Sequence, residues 1–443
     1  MTVKKPEWLG KKQLVIILFG GVLFLICACV NAGTTNTILP MIAEIRGWKY
    51  EDLLPFMSYG GYIGAVATVF FGQLVVKKGP RFVIICGLLI GGASLALYGT
   101  TRIFGVFVFT IILNRVMSCA YQQAGNAALL NNWFPRTKGI VLGWATMGII
   151  LADIVWSPYI PAVIHRIGSE ATMILFGCVL VLIALFARLF IKNTPEAAGT
   201  CPDNNPNGLE ELIKNTHVMK RYQNSYTMKK LLRTKQMWQI SIGWGLLWMA
   251  AVAYVSQIVL RCVSLGYSQE FGVHVLQIAG AAALAGSWFF GFLDLKLGTK
   301  KASQIYALGV LAMYAISLFH KQSTVLIWIS ACGMMGCVGG IANLQPSMVG
   351  TVFGRWDFAA ANRLIAPVVM AVSSSSFLVV SIFLRSPWGR DGLYVFSIIC
   401  TVVCFIIVTA VSEKMIGAND TEALQNVNEI FNKQITEESG GEK

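Results

Sequence analysis

Apolar runs of about 20 residues recur along nearly the whole chain, and that length constrains the fold more than any other feature. Such a run, coiled as a helix, crosses a hydrocarbon layer ~30 Å thick. Inside lipid every backbone N–H and C=O must be satisfied without water, so each run should be helical. Twelve spans are expected, near 14–41, 53–76, 82–101, 104–130, 138–163, 170–192, 236–260, 271–294, 302–319, 323–349, 363–385 and 392–412. Charged residues make up only 13% of the 443, roughly half the share in a soluble domain. A polar stretch, 193–235, separates the sixth span from the seventh. The expected fold class is an all-α membrane protein, with twelve transmembrane helices in two pseudo-symmetric six-helix bundles. The N-terminal bundle covers 1–192, a linker loop 193–235, the C-terminal bundle 236–412 and a tail 413–443.

The net charge of +14 raises the question of a polyanionic partner. The cations, however, fall in alternate loops: Lys4, Lys5, Lys11 and Lys12, then Lys77, Lys78 and Arg81, then Arg136 and Lys138, the linker, and Lys296, Lys300 and Lys301. By the positive-inside rule these loops and both termini face the cytoplasm, so the charge encodes topology and no nucleic acid partner is expected. Most of the eleven cysteines lie inside spans, which implies no disulfide framework. The first run is too long for a cleaved signal and reads as an uncleaved helix. Asn, Pro and Gly at Cys201–Gly208 suggest a flexible lead-in to the linker, Leu209–Lys214 and Met228–Lys235 could form surface helices, and the acidic tail is expected to be partly disordered.

An internal echo supports two related halves. Gly72-Gln-Leu-Val-Val-Lys-Lys-Gly79-Pro-Arg81 follows span two, and Gly291-Phe-Leu-Asp294-Leu-Lys-Leu-Gly298-Thr-Lys follows span eight. Glycines there would allow close helix approach, and cations would cap helix C-termini. These features resemble the major facilitator superfamily and its loop motif. Arg46-Gly47-Trp48, Gly79-Pro80-Arg81, Trp133-Phe134-Pro135 with Lys138-Gly139, and Thr194-Pro195-Glu196 through Pro202-Asp203-Asn204 resemble, more narrowly, its oxalate/formate antiporter and monocarboxylate porter branch. The resemblance implies alternating access by two six-helix halves around a central site, with small organic anions as typical substrates. Val76 stands where the motif expects an acid, and Asp294 lies one position early. The oxalate carriers' span-eight Arg and span-eleven Lys are replaced here by Ser287 and Val369, so a dianion clamp is missing.

Two opposite charges stand inside spans, Arg115 in span four and Asp153 in span five, each about ten residues (~15 Å) from the outer boundary. Intramembrane charges mark substrate or ion pathways by default, although a permanent structural ion pair would satisfy the same pattern. Asp153 is the candidate for proton coupling. From Arg115, the 3.6-residue period puts Cys119, Gln122 and Asn126 on one face. Asn31, Thr34 and Thr35 make a similar patch in span one, as pathway lining or as interhelical glue. The second half offers Trp244, Trp248, Tyr254, Gln257, Trp288, Asn343, Gln345 and the Ser373–Ser376 run including Ser374, as packing groups or as ligands. One Arg with aromatic neighbours suits a monovalent anion with an apolar or aromatic body.

The reading is a secondary active transporter of a small organic anion, a monocarboxylate, with a proton or counter-anion as co-substrate. It is expected to be a monomer in the cell membrane, without a cofactor or metal site and without enzymatic chemistry. No histidine has metal or catalytic spacing, and no phosphate loop supports an ATP-driven pump. An exporter of lipophilic compounds is the rival within the class. A transporter-like sensor, a polytopic enzyme and a passive channel are rivals outside it.

Overall fold

The computed structural model describes residues 9–31, 38–134, 137–152, 157–204, 222–223, 226–419, 421–423, 425–430 and 432. All regular structure among them is helical. Among the described residues ten helices are long and apolar enough to cross a membrane: 11–31, 50–75, 80–100, 104–133, 162–190, 235–255, 269–297, 324–354, 360–385 and 389–410. The other two expected spans are present in part. Span five runs as Lys138–Leu151 and resumes at Ser157, and span nine is the 19-residue helix Thr299–Ser317. Twelve spans are consistent with this set.

Two expected spans, seven and eleven, break where continuous helices were anticipated. Span one is α-helical over Lys11–Ala28 and π-helical to Asn31, residues 32–37 lie outside the described ones, and Leu39–Ile45 is helical again. Span seven stops at Val255, and Ile258–Ser264 forms its own short helix. Span eleven breaks at Ser375. Polar residues mark these places, Ser256-Gln257 in span seven and the Ser373–Ser376 run in span eleven, but inside long apolar runs they read equally as pathway lining.

The echo between the halves is repeated in three dimensions. Gly79 and Gly298 adopt nearly the same left-handed conformation, φ 84° ψ 158° and φ 81° ψ 157°, where a Cβ is disfavoured. Each opens a helix whose first free N–H groups need partners. In the first half, Arg81 N donates to Asn193 Oδ1 at 2.9 Å and the Arg81 guanidinium donates to the Arg188 carbonyl. In the second, Lys300 N donates to Glu413 Oε1 at 3.1 Å and Lys300 Nζ to the Val411 carbonyl at 2.9 Å. The chain just past the sixth span caps the third, and the chain past the twelfth caps the ninth. Asp294, despite its shifted position, accepts from Thr299 Oγ1 at 2.6 Å and Ser347 Oγ at 2.7 Å, tying spans eight, nine and ten together. Gly72 and Gly291 correct the expectation of close approach: a Cβ on either would meet nothing within 4 Å.

The polar flanks are more ordered than composition suggested. Asp203 is buried, takes a left-handed φ of 51°, and accepts from Thr137 N at 3.1 Å and Thr137 Oγ1 at 2.6 Å, capping span five. A helix forms at Met228–Leu232, whereas 209–214 lies outside the described residues. The tail packs against the second half as far as Val427. Ala418 N donates to Asp357 Oδ2 at 2.9 Å, Tyr222 donates to the same fully buried carboxylate, and Ala423 and Val427 pack with Tyr222 and Trp356. The tail's polarity hid this small apolar stripe.

Packing separates the two halves at one end and joins them at the other. Ile16, Leu88, Leu130, Trp133 and Ile191 belong to a core made only of first-half residues. Trp244, Tyr306, Met348 and Val408 belong to one made only of second-half residues and the linker's last turn. A third core draws on both, with Leu39, Leu53 and Phe107 against Ala253, Phe377, Val380 and Leu393. It lies at the end away from the termini. There Ser381 Oγ and Arg385 donate to the Glu51 carbonyl, Arg385 also bonds Asp52 at 2.6 Å, and Gln257 Nε2 donates to Tyr50 Oη at 3.2 Å. Deeper in, Ser58 Oγ donates to the Ser374 carbonyl at 2.6 Å and Tyr62 pairs with Ser375 at 2.8 Å. Past Gly64, Val69 and Phe70 of span two are exposed. The molecule is therefore sealed between spans two and eleven at the end remote from its termini.

Beside that seal, in the turn after span nine, His320 is buried with Nε2 2.7 Å from Ser330 Oγ and Nδ1 without a hydrogen bond. Burial first, then the nearby Arg261, push its pKa down from 6.5 to about 4, against the opposing pull of Asp391, while Tyr394 stacks edge-on and Lys321 holds Asp391. The unfolded chain thus takes up a proton at a higher pH than the folded one. Stability from neutral His320 is present above about 6.5 and is lost as pH falls through that value towards 4. Melting of the purified protein should drop over this window, and His320→Gln should flatten that part of the profile.

Candidate functional site

Arg115 comes from the last turn of the regular helix Phe104–Ser118, which continues as a π-helical segment, Cys119–Asn126. A π-turn carries more residues than an α-turn and often marks a functional position. It also shifts the face: Gln122 and Asn126 do not follow Arg115 at the spacing an ideal helix would give. Asn126 is fully buried and donates to the Gly20 carbonyl at 3.0 Å, joining spans four and one. Gln122 is half-buried beside Cys27, whose Sγ lies 3.9 Å from its Oε1. Cys119 is buried with its Sγ 3.4 Å from the Arg115 carbonyl.

A small cavity in the first half is lined by Val30, Asn31, Met57, Leu95, Tyr98, Ile111, Asn114 and Arg115. Asn31 Nδ2 donates to the Cys27 carbonyl at 2.8 Å and to Ser118 Oγ at 3.3 Å, so it ties spans one and four and lines the cavity as well. Arg115 Nε is buried without a hydrogen bond, and among the described residues no carboxylate lies within ion-pair distance of this side chain. A buried unpaired donor costs about 1–3 kcal/mol, so Arg115 Nε is poised for an acceptor that none of the described residues supplies. Asp153, its expected partner, and Thr34 and Thr35 lie outside the described residues.

Span two holds Arg115 in place through glycine. A Cβ on Gly60 would fall 2.9 Å from Arg115 Cβ and 3.2 Å from Cγ, and one on Gly64 2.9 Å from Cys119 Sγ. The Gly60-Gly61-Tyr62-Ile63-Gly64 pattern, small residues allowing helices to approach, was the available signal for this contact. Gly60→Val should displace the Arg115 side chain and abolish transport in reconstituted vesicles while leaving the helical circular dichroism signal unchanged.

The second-half candidates are not gathered around Arg115. Trp244 is fully buried in the second-half core. Tyr254 is buried too, bonded to Ser330 Oγ at 2.8 Å and packed on Tyr314 and Tyr394. Gln257 is part of the seal. Ser374 is buried with its carbonyl held by Ser58 and its side chain against Gly61. Trp248 bonds Gln345 at 3.0 Å, and Asn343 bonds Ser287 Oγ at 3.0 Å, linking spans seven, eight and ten. Trp288 is exposed. The pocket holding Arg115 is thus internal to the first half, and the expected aromatic partners across a shared chamber are packed elsewhere. Sequence reasoning also missed Asn114, Ser118, Ser58 and Tyr62.

Two helical halves built on one plan and joined at one end, with a mid-span cation in a pocket of the first half, are the architecture of a membrane transporter. The chain belongs to the Major Facilitator Superfamily, whose family model matches residues 21–378. It is similar to the sialic acid transporter NanX of Escherichia coli (22% identity over 73% of this chain and 80% of NanX). It is also similar to the uncharacterised MFS-type transporter YhjX of the same organism (20% identity over 67% and 70%). In fold it matches a D-xylose–proton symporter, TM-score 0.70 at 14% identity over 92% of this chain and 99% of that one. A bacterial homologue of the human lysosomal transporter Spinster, inward-facing and occupied, matches at TM-score 0.66 and 11% identity over 90% and 97%.

Proposed function

We propose that the protein is a secondary active transporter of a small monovalent organic anion, a monocarboxylate, whose carboxylate is held by Arg115. The observation carrying this reading is the buried Arg115 Nε with no hydrogen-bond partner, in a cavity lined by Asn31 and Asn114. A guanidinium in low dielectric favours a carboxylate through charge-assisted, bidentate contacts. A single such cation suits a monoanion better than a dianion, and Ser287 bonds Asn343 instead of offering a second charge. NanX, named for an acid, accords with an anionic cargo. By the positive-inside rule the termini are cytoplasmic, so the sealed end faces outward and this conformer receives cytoplasmic solute.

Counterflow in proteoliposomes tests the reading: labelled lactate or benzoate should accumulate against its unlabelled form, whereas neutral sugars should not. Exchange confined to neutral solutes would overturn it. Asp153 is proposed as the proton-coupling carboxylate, its protonation linked to occupancy of Arg115. Asp153→Asn should remove all dependence on an imposed proton gradient while exchange survives.

A further inference from the structure

We infer that the anion's apolar body lies in a groove on the flank of the first half, which selects carboxylates bearing a benzene-sized or medium-chain hydrocarbon group. The inference rests on Arg115 being the carboxylate site. Next to the Arg115 cavity is a second cavity of about 190 Å³, between spans one, three and six. Its walls are apolar, with Leu25, Ile26, Met173, Phe176, Leu180 and Ile183 among them. Val30 and Leu95 line both cavities, so the cation's pocket and the apolar one share a wall.

Size and charge favour a single amphiphilic occupant. An apolar cavity of about 150 Å³ is enough to take benzene, and this one is larger. The rim residues Val22 and Val179 are exposed, so the groove opens on the molecule's lipid-facing flank. Val22 is 11 residues into a helix that begins at Lys11, which puts the opening ~16 Å deep, in the hydrocarbon layer. An uncharged guest would gain only burial there. A carboxylate with the same body would also satisfy the Arg115 donor that the fold leaves unbonded. Trp244 and Tyr254 of the second half are buried in their own core and are not available to hold that body.

Equilibrium binding to the full chain in lipid nanodiscs tests this, with labelled octanoate, benzoate, acetate and octanol as probes. Octanoate and benzoate should bind at least tenfold tighter than acetate, and tighter than octanol. Val179→Trp, which fills the rim, should erase that preference while leaving acetate unchanged. Arg115→Gln should weaken all three acids and leave octanol as it was. Equal affinity for acetate and octanoate, or a preference untouched by Val179→Trp, overturns the groove while leaving the anion reading intact. Octanol binding as tightly as octanoate marks the groove as a lipid contact and overturns the inference. Acids unaffected by Arg115→Gln overturn the anion reading itself.

Discussion

Arg115→Gln is expected to abolish carboxylate transport without unfolding the protein. A hydrogen bond to a charged group contributes about 1.5–3 kcal/mol, so loss of the guanidinium should raise the half-saturating concentration roughly 10–100-fold. Turnover should fall further, because the substrate charge would then cross mid-bilayer without a counter-charge. Arg115→Lys keeps the charge but not the planar fork, and should recover only part of the affinity. Stability should move little or rise, since Arg115 Nε has no hydrogen bond to lose. Counterflow kinetics and melting measured on the same preparations check this. A variant that transports normally would make the side chain a packing element, whereas a variant that melts early would make it a structural cation.

Much of the architecture was legible because lipid leaves few options. Span positions followed from run length, and the loop echo foretold Gly79 and Gly298, whose backbones coincide. The site was less legible. A 3.6-residue period put Gln122 and Asn126 beneath Arg115, but the π-helical segment 119–126 breaks that period, and no composition signal announces it. Trp244 and Tyr254 invited a ligand role because aromatics serve both packing and binding; only tertiary structure shows them buried. Asn114 and Ser58 were passed over as single polar residues in apolar helices; Ser58 finds its partners in span eleven, and Asn114 shows its place only as part of the Arg115 cavity wall. The order of the tail depended on Asp357, about 60 residues away from the backbone it caps, a relation that local polarity cannot encode.

Glycine substitutions at the two ends of span two should drive the carrier into opposite conformations, the largest structural effect expected here. At the sealed end, a Cβ on Gly61 would collide with Ser374 Oγ and Cβ, where Ser58 already binds the Ser374 carbonyl. Overpacking a tight contact costs about 1–3 kcal/mol, enough to shift a two-state equilibrium by roughly 5–150-fold. Gly61→Val should therefore force spans two and eleven apart and favour the state open at that end. At the other end, Gly72 and Gly291 have open space in this conformer, so leucine at either costs nothing here. If the halves close on these glycines when the carrier alternates, Gly72→Leu and Gly291→Leu should hold it in the present state and stop net transport. Spin-label distances between span two and span eleven would show a longer separation in Gly61→Val and an unchanged, narrowed distribution in the leucine variants. Combining Gly61→Val with Gly72→Leu strains both end states and should lower the melting temperature below that of either single variant. Leucine variants that cycle normally would mean that the halves never meet at those glycines, and that the motif serves only the turn at Gly79 and Gly298.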